Sequence, residues 1–456
     1  MDFLNQLVSD VNGVLWGVFF LIPLLCGTGI FYTIKLRFVQ VRKFGLAARF
    51  LLGGASLFGK RADKSGMSSF QALATAVAAQ VGTGNVAGTA TALVAGGPGS
   101  LFWLWVAAFF GMATIFAEAV LAQTYRTKDE QGRVLGGPAY YITLGMGEKW
   151  RPLAVFFSIA IIIALGCIGN MVQSNSIAHA MQTAFNVPAA VSGVVCAVLA
   201  GLVFFGGVGR LASVTEKIVP FMAAIYLIGG LWVIGAHITE VIPAFRLIFV
   251  AAFDPEAVMG GALGLTVAKA MQFGVARGLF SNEAGMGSTP HAHAVARVEH
   301  PAEQGLVAMF GVFTTVVIVT FTGIVILVTG VLDFKTTGIE LTQHAYTVGL
   351  GSFGMAFVAV CLFFFAFSTI IGWYFFGEQN VRFGRHAQGR LRLVARRPLQ
   401  RPDGAPEPRR ARGAAQGRGR EPRGLREEAR PLRGAQEREH RRPHAATLTP
   451  LCAGST

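Results

Sequence analysis

Nine stretches of this chain are apolar over the thickness of a lipid bilayer: residues 14–34, 68–95, 101–123, 153–183, 187–208, 216–238, 262–288, 305–331 and 352–377. Crossing a hydrocarbon core takes about 20 helical residues at roughly 1.5 Å each. Inside lipid no water satisfies a backbone N–H or C=O, so such runs must be helices packed into a bundle. Charged residues make up only 14% of the chain, where soluble domains carry about 25%. The sequence predicts an all-α polytopic membrane protein.

Basic residues between spans set the orientation. The segment after the first span holds Lys35, Arg37, Arg42, Lys43, Arg49, Lys60, Arg61 and Lys64, which places it in the cytoplasm. Further basic clusters (Arg126, Lys128, Arg133, Lys149 and Arg151, then Arg210 and Lys217, then Arg297) follow at every second loop. The N-terminus, with Asp2 and Asp10, is expected outside. Residues 239–260 and 332–348 are expected as outside loops. The first residues lack the positive stretch of a cleaved signal peptide, so the first span is expected to be retained.

Two spans are interrupted at their centres. The second contains Ala79-Gln-Val-Gly-Thr-Gly-Asn-Val-Ala-Gly88, with Gln80, Thr83 and Asn85 among glycines 82, 84 and 88. Glycine permits non-helical backbone, and polar side chains at bilayer depth are expensive unless they serve a function. A packing face of small residues would explain Gly84 and Gly88, but not the polar cluster beside them. The seventh span carries Gly274-Val-Ala-Arg-Gly-Leu-Phe-Ser-Asn-Glu-Ala-Gly285 and continues to Gly287. They are five spans apart, so they run in opposite directions, as an inverted five-helix repeat with a broken first helix requires.

Where a helix unwinds, its freed N–H groups and positive dipole end suit a carboxylate, and its freed carbonyls suit a small cation. Gln173 in the fourth span, and Ser368, Thr369 and Trp373 in the ninth, are further mid-membrane candidates. Thr369 and Trp373 stand four apart, on one helix face. The bland alternatives are interhelical hydrogen bonding for Gln173 and bonding to the helix's own carbonyls for the hydroxyls. Glu118 is expected to pair with Arg277, and Arg277 and Glu283 are candidate gate partners. His291 and His293 are poor support for a metal site, and the five scattered cysteines show no metal-binding spacing. A passive channel would need a continuous polar lining. No Ser/His or HExxH arrangement lies within the spans, so no enzyme is expected.

From Arg382 the composition changes. Residues 382–456 hold 19 Arg, no Lys and 7 acidic residues, a net +12 of the chain's +15. A disordered basic tail touching anionic lipid is the plain expectation. A nucleic-acid arm lacks aromatic residues or a fold motif, and no nucleic-acid partner is expected. The mixture of Arg, Ala, Pro and Gly also matches GC-rich codons read in a shifted frame, which is the favoured expectation.

Four segments in order resemble the alanine or glycine:cation symporter family: Ala76-Val-Ala-Ala-Gln-Val-Gly-Thr-Gly-Asn-Val-Ala-Gly88, Gly136-Gly-Pro-Ala-Tyr-Tyr141, Gly274–Gly285 and Gly372-Trp-Tyr-Phe-Phe-Gly-Glu378. The resemblance covers about residues 1–381. It implies a leucine-transporter-like fold with one extra N-terminal helix before two inverted five-helix repeats. On this chain that gives 1–66 as the extra helix and cytoplasmic loop, 67–240 as the first repeat, 241–381 as an incomplete second repeat and 382–456 as the tail. It implies uptake of alanine or glycine with Na⁺, or in some members H⁺, and no cofactor, in a bacterial inner membrane. The substrate site falls on Gln80, Thr83, Gly84, Asn85, Gln173, Thr369 and Trp373, and the cation site on Gly82, Ser368 and Thr369. The position of Gln80 can be acidic in the family, and an amide weakens any ion pair there with a substrate ammonium. Members have eleven spans, so the last two helices are expected to be missing and the chain to be unstable or inactive.

Overall fold

In the computed structural model the described residues are 2–16, 20–53, 66–254 and 266–396. Helices α1 (Asp2–Leu15), α2 (Leu21–Lys35), α3 (Val39–Arg42) and α4 (Phe44–Gly53) precede the first broken segment. That segment comprises α5 (Ser69–Gln80), a π-helical turn (Gly84–Gly88) and α6 (Thr89–Gly96). There follow α7 (Ser100–Thr124), α8 (Pro138–Met146), α9 (Arg151–Ile161), α10 (Asn170–Phe185), α11 (Ala189–Phe204), α12 (Gly207–Ala236) and α13 (Val241–Phe253). The second broken segment comprises α14 (Val267–Asn282) and α15 (Pro290–Ala294), and α16 (Pro301–Val328), α17 (Gly338–Leu350) and α18 (Phe353–Arg396) follow. Helix α9 continues into α10 through a π-helical stretch, Ile162–Gly169.

Among the described residues five helices are long and apolar enough to cross a membrane, and Leu21–Lys35 and Ala189–Phe204 are shorter apolar ones. With the two broken segments they account for all nine predicted spans. This is an integral membrane protein.

Four expectations are corrected. The first span does not run from residue 14, because α1 ends at Leu15 and α2 starts at Leu21. Residues 239–260 are not a plain loop. They contain α13, whose Ala244, Ile248, Ala251 and Ala252 are buried against α7 and α16. Residues 332–348 fold largely into α17, with Ile339, Leu341, Thr342, Gln343, Ala345 and Tyr346 buried. At 13 residues each, these helices span about 20 Å, too short to cross. Finally, the ninth span does not stop at residue 377, since α18 continues to Arg396.

Phe383 is buried there against Tyr140, with ring centroids 5.1 Å apart. Arg382 pairs with Glu378 and lies 3.6 Å from Asp129. Burial opposes charge on Asp129, yet hydrogen bonds from Arg133 and from the Gln131 backbone hold its carboxyl below the usual range. The change of composition at 382 is therefore not a structural boundary. The expectations for the Arg-rich segment beyond Arg396 lie outside the described residues.

Short parallel strands β1 (Met67–Ser68) and β4 (Ala296–Arg297) pair with each other, and β2 (Thr127–Lys128) pairs with β3 (Val134–Leu135) between α7 and α8. Strand β1 directly precedes α5, and β4 directly follows α15. The β1 end of one broken segment therefore lies beside the β4 end of the other, with α14 packed on α6 at the opposite end. The two segments cross antiparallel, as the span parity predicts.

Candidate functional site

Helix α5 starts on a capping box. Ser68 Oγ accepts from Gln71 N at 3.1 Å and Gln71 Oε1 accepts from Ser68 N at 3.0 Å, satisfying two otherwise orphan donors. The helix ends at Val81, whose ψ of 82° leaves the helical region. In an unbroken helix, Gly82 N would bond Ala78 O and Thr83 N would bond Ala79 O. Here all four groups find other partners. Gly82 N donates to Asn85 Oδ1 at 3.1 Å, and Thr83 N donates to Gln173 Oε1 at 3.2 Å. Thr369 Oγ1 donates towards Ala78 O at 3.0 Å and Ala79 O at 3.3 Å, and Ser368 Oγ approaches Ala78 O at 3.3 Å.

The break is thus an exchange of backbone bonds for side-chain bonds, drawn from α10, α18 and Asn85 of the π-helical turn. It gathers Gly82, Thr83, Asn85, Gln173, Ser368 and Thr369 in one buried cluster. Gly82 sits so close that a methyl there would stand 2.4 Å from Thr369 Oγ1. Its own carbonyl accepts from Asn85 N, so the carbonyls facing the hydroxyls are those of Ala78 and Ala79. Asn85 Nδ2 is buried without a hydrogen-bond partner.

Three predicted site residues lie outside that cluster: Trp373, which bonds Glu283, and Gly84 and Gln80. Gly84 faces Phe280 of α14, and a methyl on the glycine would stand 3.0 Å from Phe280 Cδ1. Gln80 points away from Gln173 and Thr369. Its Nε2 donates to Asn282 O at 2.7 Å, and its Oε1 lies beside Gly311 of α16 without a partner. In a continuous helix Met286 N would reach Asn282 O, so Gln80 fills a bond that the second break leaves open. The two breaks brace each other.

The second break runs through Glu283, Gly285 and Gly287, with φ of 55°, 85° and 78°. Glu283 is the costly one, since left-handed backbone disfavours a side chain. Glu118 does not meet Arg277. Its Oε2 accepts from Gly285 N at 3.0 Å, clasping the loop to α7. Nor is Glu283 paired with Arg277, because its carboxylate accepts from Trp373 Nε1 at 2.6 Å and from Ser288 Oγ. Removing the clasp with Glu118→Ala leaves a buried amide open, which costs about 1–3 kcal/mol. A lowered melting temperature in detergent is expected, with Glu118→Gln retaining most of the stability. Equal melting of Glu118→Ala and the parent would contradict this.

On the side of β1, α5 is tied to α12 by Gln71 Nε2 donating to Glu216 Oε2 at 3.0 Å and by Thr75 with Thr215 at 3.2 Å. Among the described residues no group of three or more His, Cys, Asp and Glu could hold a metal ion. A cavity of about 920 Å³ lies beside Arg49, Ser69, Arg126 and Glu303, and no break residue is among its lining.

The family model described as the sodium:alanine symporter family matches residues 1–396. The chain belongs to the sodium:alanine symporter family. The match extends past residue 381 to the end of α18. Relatives of this symporter-family chain include an uncharacterized transporter of Haemophilus influenzae, 45% identical over 383 residues, covering 82% of each chain. The "Sodium/alanine symporter AgcS" of Methanococcus maripaludis is 43% identical over 389 residues, covering 83% of each. The "Probable sodium/glutamine symporter GlnT" of Bacillus subtilis is 40% identical over 382 residues, covering 83% of this chain and 77% of its own. The family is one of cation-coupled amino-acid symporters, not of enzymes.

Within this family member, the sequence pointed to the break but not to Ala78 and Ala79, whose carbonyls matter and whose side chains are silent. Glu283 was visible as a buried carboxylate in an apolar span. Its place beside Trp373, 90 residues away, left no local signal.

Proposed function

We propose that this protein imports alanine or glycine together with Na⁺ by alternating access, from a site at the first break. The observation that carries the reading is the exchange at Val81–Thr83. Two backbone N–H groups and two carbonyls are freed from helix bonding and held by neutral side chains that a ligand can replace. A substrate carboxylate is a stronger acceptor than Gln173 Oε1 or Asn85 Oδ1 for the amides of Gly82 and Thr83, since charge-assisted hydrogen bonds are roughly twice as strong. Asn85 Nδ2 adds a donor with no competing partner. Rotation of the Ser368 and Thr369 hydroxyls turns their lone pairs inwards, and with the carbonyls of Ala78 and Ala79 they offer hard oxygen ligands to Na⁺.

The antiparallel crossing of the broken segments supports a leucine-transporter-like arrangement, with α2 as the extra helix and the N-terminus outside. Alternating access then requires α5 to part from α12 on the inner side, through the Gln71–Glu216 and Thr75–Thr215 bonds. Gln71→Leu is expected to weaken that closure, lowering alanine affinity about 3–10-fold while leaving Na⁺ selectivity intact, since a side-chain hydrogen bond contributes roughly 0.5–1.5 kcal/mol. Unchanged alanine affinity would contradict the gate.

Coupling by H⁺ and a larger substrate such as glutamine are the competing readings, the second favoured by the name of one relative. Equilibrium binding of labelled alanine, glycine and glutamine to the purified chain, in Na⁺ and in K⁺ at two pH values, separates them. Saturable alanine or glycine binding that requires Na⁺ is expected. Binding indifferent to Na⁺ but dependent on pH, or confined to glutamine, would overturn the reading.

A further inference from the structure

The indole of Trp373 is fixed at both ends. Its Nε1 donates to Glu283 Oε1 at 2.6 Å, and Ser288 Oγ holds the other carboxylate oxygen. The opposite edge lies against Gly169, where a methyl would stand 2.4 Å from Cζ3 and 2.9 Å from Cε3. Phe280 meets the ring edge-on, with centroids 6.4 Å apart, and Phe280 also covers Gly84 of the break. Gly169 precedes Gln173 by four residues, and Trp373 follows Thr369 by four. Residues four apart share a helix face, so the indole forms a layer one turn along from Gln173, Gly82 and Thr369. Trp373 and Glu283 are both buried.

We infer that Glu283 and Gly169 are positioning residues that make Trp373 a rigid wall of the substrate site, and that this wall limits the size of the side chain admitted. The inference rests on the amino-acid symport reading above. A tryptophan with a free nitrogen can swing about its two side-chain torsions to admit a longer substrate. With the nitrogen on a carboxylate and the far edge on backbone, neither torsion is free. A wall that cannot move rejects an added methylene by overlap, and one methylene is worth about 10–200-fold in discrimination when the pocket holds its shape. Glu283 itself is anchored in left-handed backbone, with φ 55°, and that backbone is clasped through Gly285 to Glu118.

Equilibrium binding of labelled glycine and alanine, with competition by 2-aminobutyrate and valine, tests the inference on the full chain. Glu283→Ala frees the indole, and the preference for alanine over 2-aminobutyrate is expected to fall at least about 10-fold. Glu283→Gln keeps an acceptor for the indole and is expected to stay within about threefold of the parent. Gly169→Ala pushes the ring into the site and is expected to weaken alanine at least about 10-fold more than glycine. In the Trp373→Phe background, which has no indole N–H, Glu283→Ala is expected to change selectivity no further.

If the parent binds alanine but Glu283→Ala and Gly169→Ala weaken all four ligands by one common factor, or change none, the positioning role is overturned while symport stands. If the parent binds none of them, the symport reading falls and this inference with it. Should Gly169→Ala not fold, the Glu283 pair and the Trp373→Phe background still decide.

Discussion

Gly82→Ala is expected to abolish Na⁺-dependent binding of alanine, with a loss of at least about 100-fold. The added methyl would stand 2.4 Å from Thr369 Oγ1 and 3.1 Å from Gln173 Oε1, and both atoms already bond the backbone freed at the break. Thr369 Oγ1 has three carbonyls within reach of its one proton, those of Ala78, Ala79 and Phe365. Gln173 Oε1 is held by Thr83 N. Making room means parting α5 from α18 or α10, which dismantles the proposed carboxylate and cation positions together. Overpacking costs about 1–3 kcal/mol in stability, so the variant should still fold, and its melting temperature should be measured beside its binding. A folded Gly82→Ala that binds alanine within threefold of the parent would show that the site lies elsewhere. Close approach, not backbone conformation, demands glycine here, since Gly82 is not among the positive-φ glycines.

Thr369→Val should act on the cation rather than on the amino acid. Valine keeps the shape and removes the oxygen that spans Ala78 O and Ala79 O. The half-saturating Na⁺ concentration for alanine binding is expected to rise at least about 30-fold, equivalent to roughly 2 kcal/mol at 1.4 kcal/mol per factor of ten. Thr369→Ser should stay within a few-fold. Ser368→Ala should cost less than Thr369→Val, because Ser368 Oγ reaches one of these carbonyls at 3.3 Å, where Thr369 Oγ1 reaches both, the nearer at 3.0 Å. Binding should be saturable by Na⁺ in every case, and a Thr369→Val response like the parent's would remove the hydroxyl from the cation's shell.

The helices that cross the bilayer were legible because lipid imposes one rule on backbone polarity, and apolar length reports obedience to it. The breaks were legible for the complementary reason, that Gln80, Thr83 and Asn85 cost free energy at that depth. Direction along the sequence was legible too, since parity alone makes the broken segments antiparallel. Helices α13 and α17 were not. Each is buried against the bundle at its edge, and a 13-residue apolar face reads the same in a short buried helix as in a loop with a few hydrophobic residues. The neighbours of the break were hidden as well. Gln80 looked like a companion of Asn85, yet helix geometry turns it towards Asn282 and Gly311. Glu118 and Arg277 looked like a pair because buried charges usually pair, but Glu118 is satisfied by the backbone of the second break. Side chains that answer unwound backbone come from distant segments, and local pattern does not encode them.

The most direct test of the Na⁺-linked site at the first break is equilibrium binding of labelled alanine and glycine to the purified chain, titrated with Na⁺ at constant ionic strength with K⁺. Saturable binding of one or both, absent in K⁺ and shifted to higher Na⁺ by Thr369→Val, is predicted. Equal alanine and glycine binding in Na⁺ and K⁺, or a Na⁺ dependence unmoved by Thr369→Val, would contradict it.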